Sequence, residues 1–174
     1  TIAVDCRKSA TLTEDDLKNY PTNTYRDIVS IQGFLGLRYD GKVAVPDMEK
    51  IRTASDLAEL PGYLNRMQEH THTLSTWSDL VAIATDYDMN VIAGLRSDGT
   101  VLISGNGAFS QKDVSSWSDI ISITISVDHI VGLRSDGTVV AAGSNANGMC
   151  NVEEWTDIVD IATGLGATVG LTSK

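Results

Sequence analysis

Trp117-Ser118-Asp119-Ile120-Ile121-Ser122-Ile123-Thr124 decides the fold, because the chain repeats it. It returns as Trp155-Thr156-Asp157-Ile158-Val159-Asp160-Ile161-Ala162, and it is preceded by Trp77-Ser78-Asp79-Leu80-Val81-Ala82-Ile83-Ala84. A worn copy stands at Tyr25-Arg26-Asp27-Ile28-Val29-Ser30-Ile31. A second block follows each one: Gly36-Leu37-Arg38-Tyr39-Asp40-Gly41, Gly94-Leu95-Arg96-Ser97-Asp98-Gly99, Gly132-Leu133-Arg134-Ser135-Asp136-Gly137, and the shorter Gly170-Leu171-Thr172-Ser173-Lys174. Gly94, Gly132 and Gly170 are spaced by 38 residues, whereas Gly36 and Gly94 are 58 apart, so the first unit carries an insertion of 20. Recurrence at a fixed period marks a repeat architecture in which neighbouring units bury each other. The expected units are 25–76, 77–116, 117–154 and 155–174 joined by 1–5, with the insertion at 47–76, in one domain over 1–174.

Each unit reads as strands. Val29 and Ile31, Val81 and Ile83, Ile121 and Ile123, and Val159 and Ile161 alternate with period two, which predicts a strand with one buried face. Ala93 and Leu95, Val131 and Leu133, and Val169 and Leu171 predict a second strand around a recurrent Gly, expected where backbones crowd together. Asp98-Gly99 and Asp136-Gly137 predict tight hairpins with both turn residues at positive φ. Thr100-Val101-Leu102-Ile103 and Thr138-Val139-Val140-Ala141 then give a third strand. The expected fold is all-β. It consists of propeller-type blades, each a short antiparallel meander, with a small helical insertion in the first unit.

Gly143-Ser144-Asn145-Ala146-Asn147-Gly148, the preceding Gly-Leu-Arg-Ser-Asp-Gly-Thr-Val, His129-Ile130-Val131-Gly132-Leu133 and Trp155-Thr156-Asp157-Ile158 together resemble the repeat of the regulator of chromosome condensation family, in its bacterial form. The resemblance covers 77–174 well and 25–45 weakly. It implies a β-propeller, with His129 bonded to a neighbouring loop. The family's eukaryotic namesake is a nucleotide-exchange factor that also binds chromatin, and a bacterial relative inhibits β-lactamases. Neither activity transfers here, since no residues match an exchange-factor wedge. The chain also departs from the pattern: Gly33, Val91 and Ala167 stand where the repeat has His, and Gly105-Asn106-Gly107-Ala108-Phe109-Ser110 is an eroded loop.

Composition bounds the function. The chain has 174 residues, 42% of them apolar, and a net charge of −10. That is enough apolar content for a sizeable core. The acidic balance argues against nucleic acid and against a basic membrane-surface patch. No run approaches the roughly 18 apolar residues of a membrane helix. Thr1-Ile2-Ala3-Val4-Asp5 is no secretory signal, and the missing initiator Met points to an excised or processed segment. Cys6 and Cys150 allow one bridge or two free thiols.

No catalytic constellation is expected. Asp27, Asp79, Asp119 and Asp157 recur in every unit, which signals a turn bond rather than a unique catalytic group. Trp77, Trp117 and Trp155 recur likewise and are expected to pack between blades. Gly105-x-Gly107 reads as a repeat loop rather than half of a dinucleotide site. His70-Thr71-His72 reads as a solvated loop, because no third ligand beyond Glu69 accompanies the pair. No metal and no cofactor is expected.

The parts that do not repeat carry more functional weight. Thr13-Glu14-Asp15-Asp16-Leu17 reads as a capped helical turn. Ser55–Leu60 and Tyr63–Met67 read as one or two short helices around Pro61-Gly62. This segment is either a cap over a blade edge or a partner-binding projection with Tyr63, Arg66 and Met67 as anchors. The functional expectation is a non-enzymatic protein-binding module. The alternative is a structural repeat segment of a larger bacterial surface or multidomain protein. In repeat phase Thr1-Ile2-Ala3-Val4 aligns with Thr138 to Ala141, so residues 1–5 are expected either to be a stub of a longer array or to supply a strand beside the Gly170 strand. That pairing closes a four-unit ring or, as favoured, a homodimer of eight units.

Overall fold

The computed structural model describes residues 28–32, 35–45, 61–105, 107, 109, 111–164 and 166–173. Three meanders of the same design follow one another. The first is β1 (Ile28–Gln32), β2 (Leu35–Arg38) and β3 (Val43–Ala44). The second is β4 (Leu80–Thr85), β5 (Val91–Arg96) and β6 (Val101–Gly105). The third is β7 (Ile120–Ile125), β8 (His129–Arg134) and β9 (Val139–Gly143). In the fourth unit, β10 (Ile158–Gly164) and β11 (Ala167–Thr172) form a two-stranded sheet among the described residues. All pairings are antiparallel. Among the described residues two helices interrupt the pattern, α1 (Pro61–Ser75) and α2 (Gln111–Val114).

The units stack as propeller-type blades, and the core lies between them. Leu35 and Leu37 of unit 1 meet Trp77, Leu80 and Ile83 of unit 2. Ala93, Leu95 and Val101 of unit 2 meet Trp117 and Ile120 of unit 3. Val131, Leu133 and Val139 of unit 3 meet Ile158 and Ile161 of unit 4. A three-stranded sheet cannot cover its own faces, so each blade supplies the other half of its neighbour's core.

The first-strand alternation is corrected by a bulge. In β4 the register runs Leu80↔Arg96 and then Ala82↔Leu95, so Val81 is an extra residue. The same shift occurs at Ile28/Ser30, Ile120/Ser122 and Ile158/Asp160. Leu80 and Ile83 therefore face the core, while Val81, Ile121 and Val159 stand 54–59% exposed. A bulge inserts one residue and reverses the facing of the positions before it, which a period-two reading cannot see.

The turn expectation is also corrected. Gly99 has φ +80°, but Asp98 is not among the residues at positive φ. Gly99 N–H donates to Arg96 O at 3.0 Å, and Arg96 N–H to Thr100 O at 2.9 Å. This is the three-residue hairpin, a type I turn closed by one left-handed residue. Asp98 contributes otherwise: its Oδ1 accepts from Thr100 N at 2.9 Å and from Thr100 Oγ1 at 2.6 Å. Asp136 does the same with Thr138. These bonds hold both carboxyls below the usual carboxylate range.

The recurrent Gly of the second strand makes room for an indole. A β-carbon on Gly132 would lie 2.9 Å from Cζ3 of Trp117, and one on Gly94 would lie 2.9 Å from the Trp77 ring. The crowding comes from the unit's own Trp rather than from neighbouring backbone. That ring is pressed between the blade and the inter-blade core.

Candidate functional site

The recurring Asp of the repeat and the His of unit 3 have structural tasks. Asp79, Asp119 and Asp157 sit at φ 61°, 59° and 59°. Asp tolerates this left-handed conformation better than most residues, and the turn brings the next backbone N–H against the preceding blade. Ile120 N–H donates to Gly99 O at 3.2 Å, Leu80 N–H to Gly41 O at 3.0 Å, and Ile158 N–H to Gly137 O at 3.1 Å. The Asp-Gly turn of one unit is thus stapled to the Trp-x-Asp turn of the next. His129 makes a second link: its Nε2 lies 2.9 Å from Thr168 Oγ1 of unit 4, and its Nδ1 lies 2.8 Å from Ser126 Oγ. Thr168 Oγ1 donates to Met149 O, so it accepts from His129 Nε2–H. The hydrogen bond with His129 holds the Asp128 carboxyl below its usual range.

One place departs from the repeat. Among the described residues the insertion forms helix α1, which begins at Pro61. Pro61 stands at the start of α1; proline at the first helical position gives up an N–H that has no partner there anyway. Residues 47–60, including Ser55–Leu60, lie outside the described ones, as do residues 1–27. The solvated-loop reading of His70-Thr71-His72 is corrected by the same helix. At about 100° per residue the two imidazoles point to different sides. His70 is buried and His72 is exposed.

Met67, His70 and Leu74 form the buried stripe of α1. Met67 and Leu74 join the core with Trp77 and Leu80. His70 Nε2 lies 3.1 Å from Met89 O, and its Nδ1 lies 2.8 Å from Ser104 Oγ. A carbonyl can only accept, so Nε2 carries the proton and the Ser104 hydroxyl donates to Nδ1. Burial pushes the His70 pKa down, which agrees with a neutral ring. Arg66 Nε donates to Asp88 O at 2.7 Å and ties the helix to the β4–β5 hairpin.

A cleft of about 330 Å³ opens between α1 and unit 2. Arg66, Glu69, His70 and Thr73 line it from the helix. Asn90, Ser104 and Gly105 line it from the hairpin and the end of β6. Asp86 shapes the hairpin: its Oδ1 accepts from Val91 N at 3.1 Å and its Oδ2 from Asn90 Nδ2 at 3.3 Å. Tyr87 at the tip is 90% exposed.

Of the three anchors expected from the sequence, Arg66 reaches the cleft and Met67 does not. Met67 is 1% exposed, so its side chain is spent on the core and cannot meet a partner. Tyr63 lies in α1, with its side chain outside the described ones. Sequence reasoning missed Asn90 and Ser104. One signal was available: Trp77 to Gly94 is 17 residues, whereas Trp117 to Gly132 and Trp155 to Gly170 are 15, so the unit 2 hairpin is two residues longer. Among the described residues, no three of His, Cys, Asp and Glu come together as metal ligands, and no helix is long and apolar enough to cross a membrane.

Residues 120–148 match the family model of the regulator of chromosome condensation (RCC1) repeat. Unit 3 is a repeat of that family, as its motif implies. No curated protein sequence matches the chain at a significant level. Among solved structures, the chain is similar to the ectodomain of the Physcomitrella patens receptor kinase CR4, with 18% identity over 54% of this chain and 27% of that one, at a TM-score of 0.42. It is similar to Prp20p from Saccharomyces cerevisiae, reported with its binding properties to Gsp1p and histones, with 12% identity over 84% of this chain and 45% of that one, at a TM-score of 0.48. A chain from the complex of Kap60 with yeast RCC1 (Prp20) gives 15% identity over 83% of this chain and 43% of that one, at a TM-score of 0.46. This chain spans less than half the length of each of these three.

Proposed function

We propose that the chain is a non-enzymatic protein-binding module, in which stacked repeats hold one modified unit toward a partner. The observation that carries this reading is where the irregularity falls. The recurring Asp and Trp side chains are consumed by turns and by inter-blade core, and His129 by a cross-unit bond. The insertion helix and the lengthened hairpin, by contrast, come together at one edge of unit 2, tied by Arg66 and His70. Irregular segments on a repeated scaffold are where binding is usually built. Arg66 and Tyr63 of α1 and the exposed Tyr87 are the proposed contact residues; Tyr and Arg are favoured at interface centres. The partner is a protein.

Quantitative capture from the source organism's extract tests this, with the chain and an Arg66→Glu, Tyr87→Ser double variant as baits. A saturable protein partner retained by the first and lost by the second is expected. Equal capture by both, or nothing enriched over an unrelated acidic bait, rejects the proposed contact surface.

A further inference from the structure

We infer that the cleft between α1 and unit 2 receives a lysine ammonium presented by a basic segment of the partner; this rests on the reading of the chain as a protein-binding module. The argument is a count of donors and acceptors. Several donors around the cleft are committed. Arg66 Nε goes to Asp88 O, His70 Nε2–H to Met89 O, the Ser104 hydroxyl proton to His70 Nδ1, and Asn90 Nδ2 to Asp86 Oδ2. Acceptor capacity is left over as well. Among the described residues the Glu69 carboxylate has no partner and Asn90 Oδ1 accepts from nothing; Ser104 Oγ keeps its lone pairs.

These three acceptors come from three separate elements: the helix, the hairpin and the end of β6. An alkylammonium has three donors in a tetrahedral spread and no acceptor, which suits such a set. A guanidinium offers a planar fork, which suits paired acceptors on one group. The local charge agrees with a cation. Asp86 and Asp88 flank the exposed Tyr87, Glu69 lines the cleft, and among the described residues Arg66 is the one guanidinium lining it. Tyr87 adds an aromatic face for a passing cation. The net charge of −10 adds long-range attraction for a basic segment. The cleft volume of about 330 Å³ lies at the lower end of ligand clefts, roughly 300–1,000 Å³, and admits one long unbranched side chain.

The test is a heteronuclear NMR titration of the whole chain with a blocked Gly-Gly-Lys-Gly-Gly peptide, its Nε-acetyl form, the arginine analogue and free lysine amide. The lysine peptide is expected to shift the amides of Glu69, Asn90 and Ser104. The acetylated form is expected to lose this, since it has no ammonium. Glu69→Gln, at an exposed position, is expected to keep the circular dichroism spectrum and to weaken binding on the order of tenfold through loss of one charge-assisted bond. Shifts scattered over the acidic surface, or unaltered affinity in Glu69→Gln, overturn the assignment. Equal binding of the arginine peptide overturns the ammonium, and equal binding of free lysine amide overturns the protein-borne source. A cellular partner captured undiminished by Glu69→Gln, with no peptide shift, overturns the cleft while leaving the module reading standing. Lysine-specific shifts without any cellular partner uphold the cleft and remove the module reading.

Discussion

A β-carbon at Gly132 would meet Trp117 Cζ3 at 2.9 Å and Ile120 Cδ1 at 3.2 Å. Both neighbours are buried, so neither can swing aside into solvent. Gly132→Val is expected to cost about 1–3 kcal/mol by overpacking, read as a lower urea midpoint; an unchanged midpoint would show a roomy site. Asp119 gives a second test at this scale, through its backbone rather than its volume. At φ 59° a β-branched residue is strained, so Asp119→Val should cost about 1–2 kcal/mol. Asp119→Gly should be close to neutral, and equal melting of the two variants would refute the conformational account. Both residues were legible in the sequence as recurring positions. Their reasons were not, because a repeat shows that a residue is required without showing which atom requires it. Period two failed at Val81 and Ile121 for a related cause: a bulge leaves the composition of a strand intact and changes only which way it faces.

Helix α1 shows how far an element can be read from its own residues. Loss of alternation pointed to helix, and Pro61 marks its start. Which side faces inward depended on what lay beneath, and there Met67 proved to be core. Met67→Ala is expected to destabilise by about 2–5 kcal/mol, measured by denaturant unfolding; a loss below that range would place Met67 at the surface. His70 makes the attachment of the helix sensitive to acid. Burial lowers its folded-state pKa, so the unfolded chain takes up this proton at the higher pH. Its contribution is therefore complete above the ordinary histidine pKa of about 6.5, and falls as pH drops from there toward the folded value. The wild type is expected to lose more stability than His70→Gln between about pH 7.5 and pH 5.5. Equal losses would show that another group governs this window.

At the scale of the molecule, unit 4 differs from the units before it. Val169 and Leu171 are 62% and 60% exposed, whereas Val131 and Leu133, their equivalents, are 0% and 1%. Units 2 and 3 owe that burial to the blade that follows them, and their middle strands are flanked on both sides. β11 pairs with β10 alone among the described residues. We propose that Thr1–Asp5, whose sequence runs in the phase of β9 and which lies outside the described residues, pairs with β11, preferentially between two chains. Deleting residues 1–5 should lower the melting temperature and change the mass seen by light scattering. If neither moves, the segment does not pair there and the exposed edge of β11 needs another partner.

The sequence by itself determined the repeat, its period, the antiparallel meander and the family of unit 3, because those rest on periodicity and turn chemistry, which are local. Even the inter-blade core was foreseeable in kind, since a three-stranded meander must bury its faces against something. Tertiary structure alone decided which face each first strand presents, why Gly132 must lack a side chain, and that Met67 and His70 turn inward while Glu69 and Arg66 line a cleft with Asn90 and Ser104. Those outcomes depend on which groups from distant parts of the chain come within a few ångströms of each other. Side-chain facing, desolvation and hydrogen-bond satisfaction are properties of such meetings, and no single segment contains them.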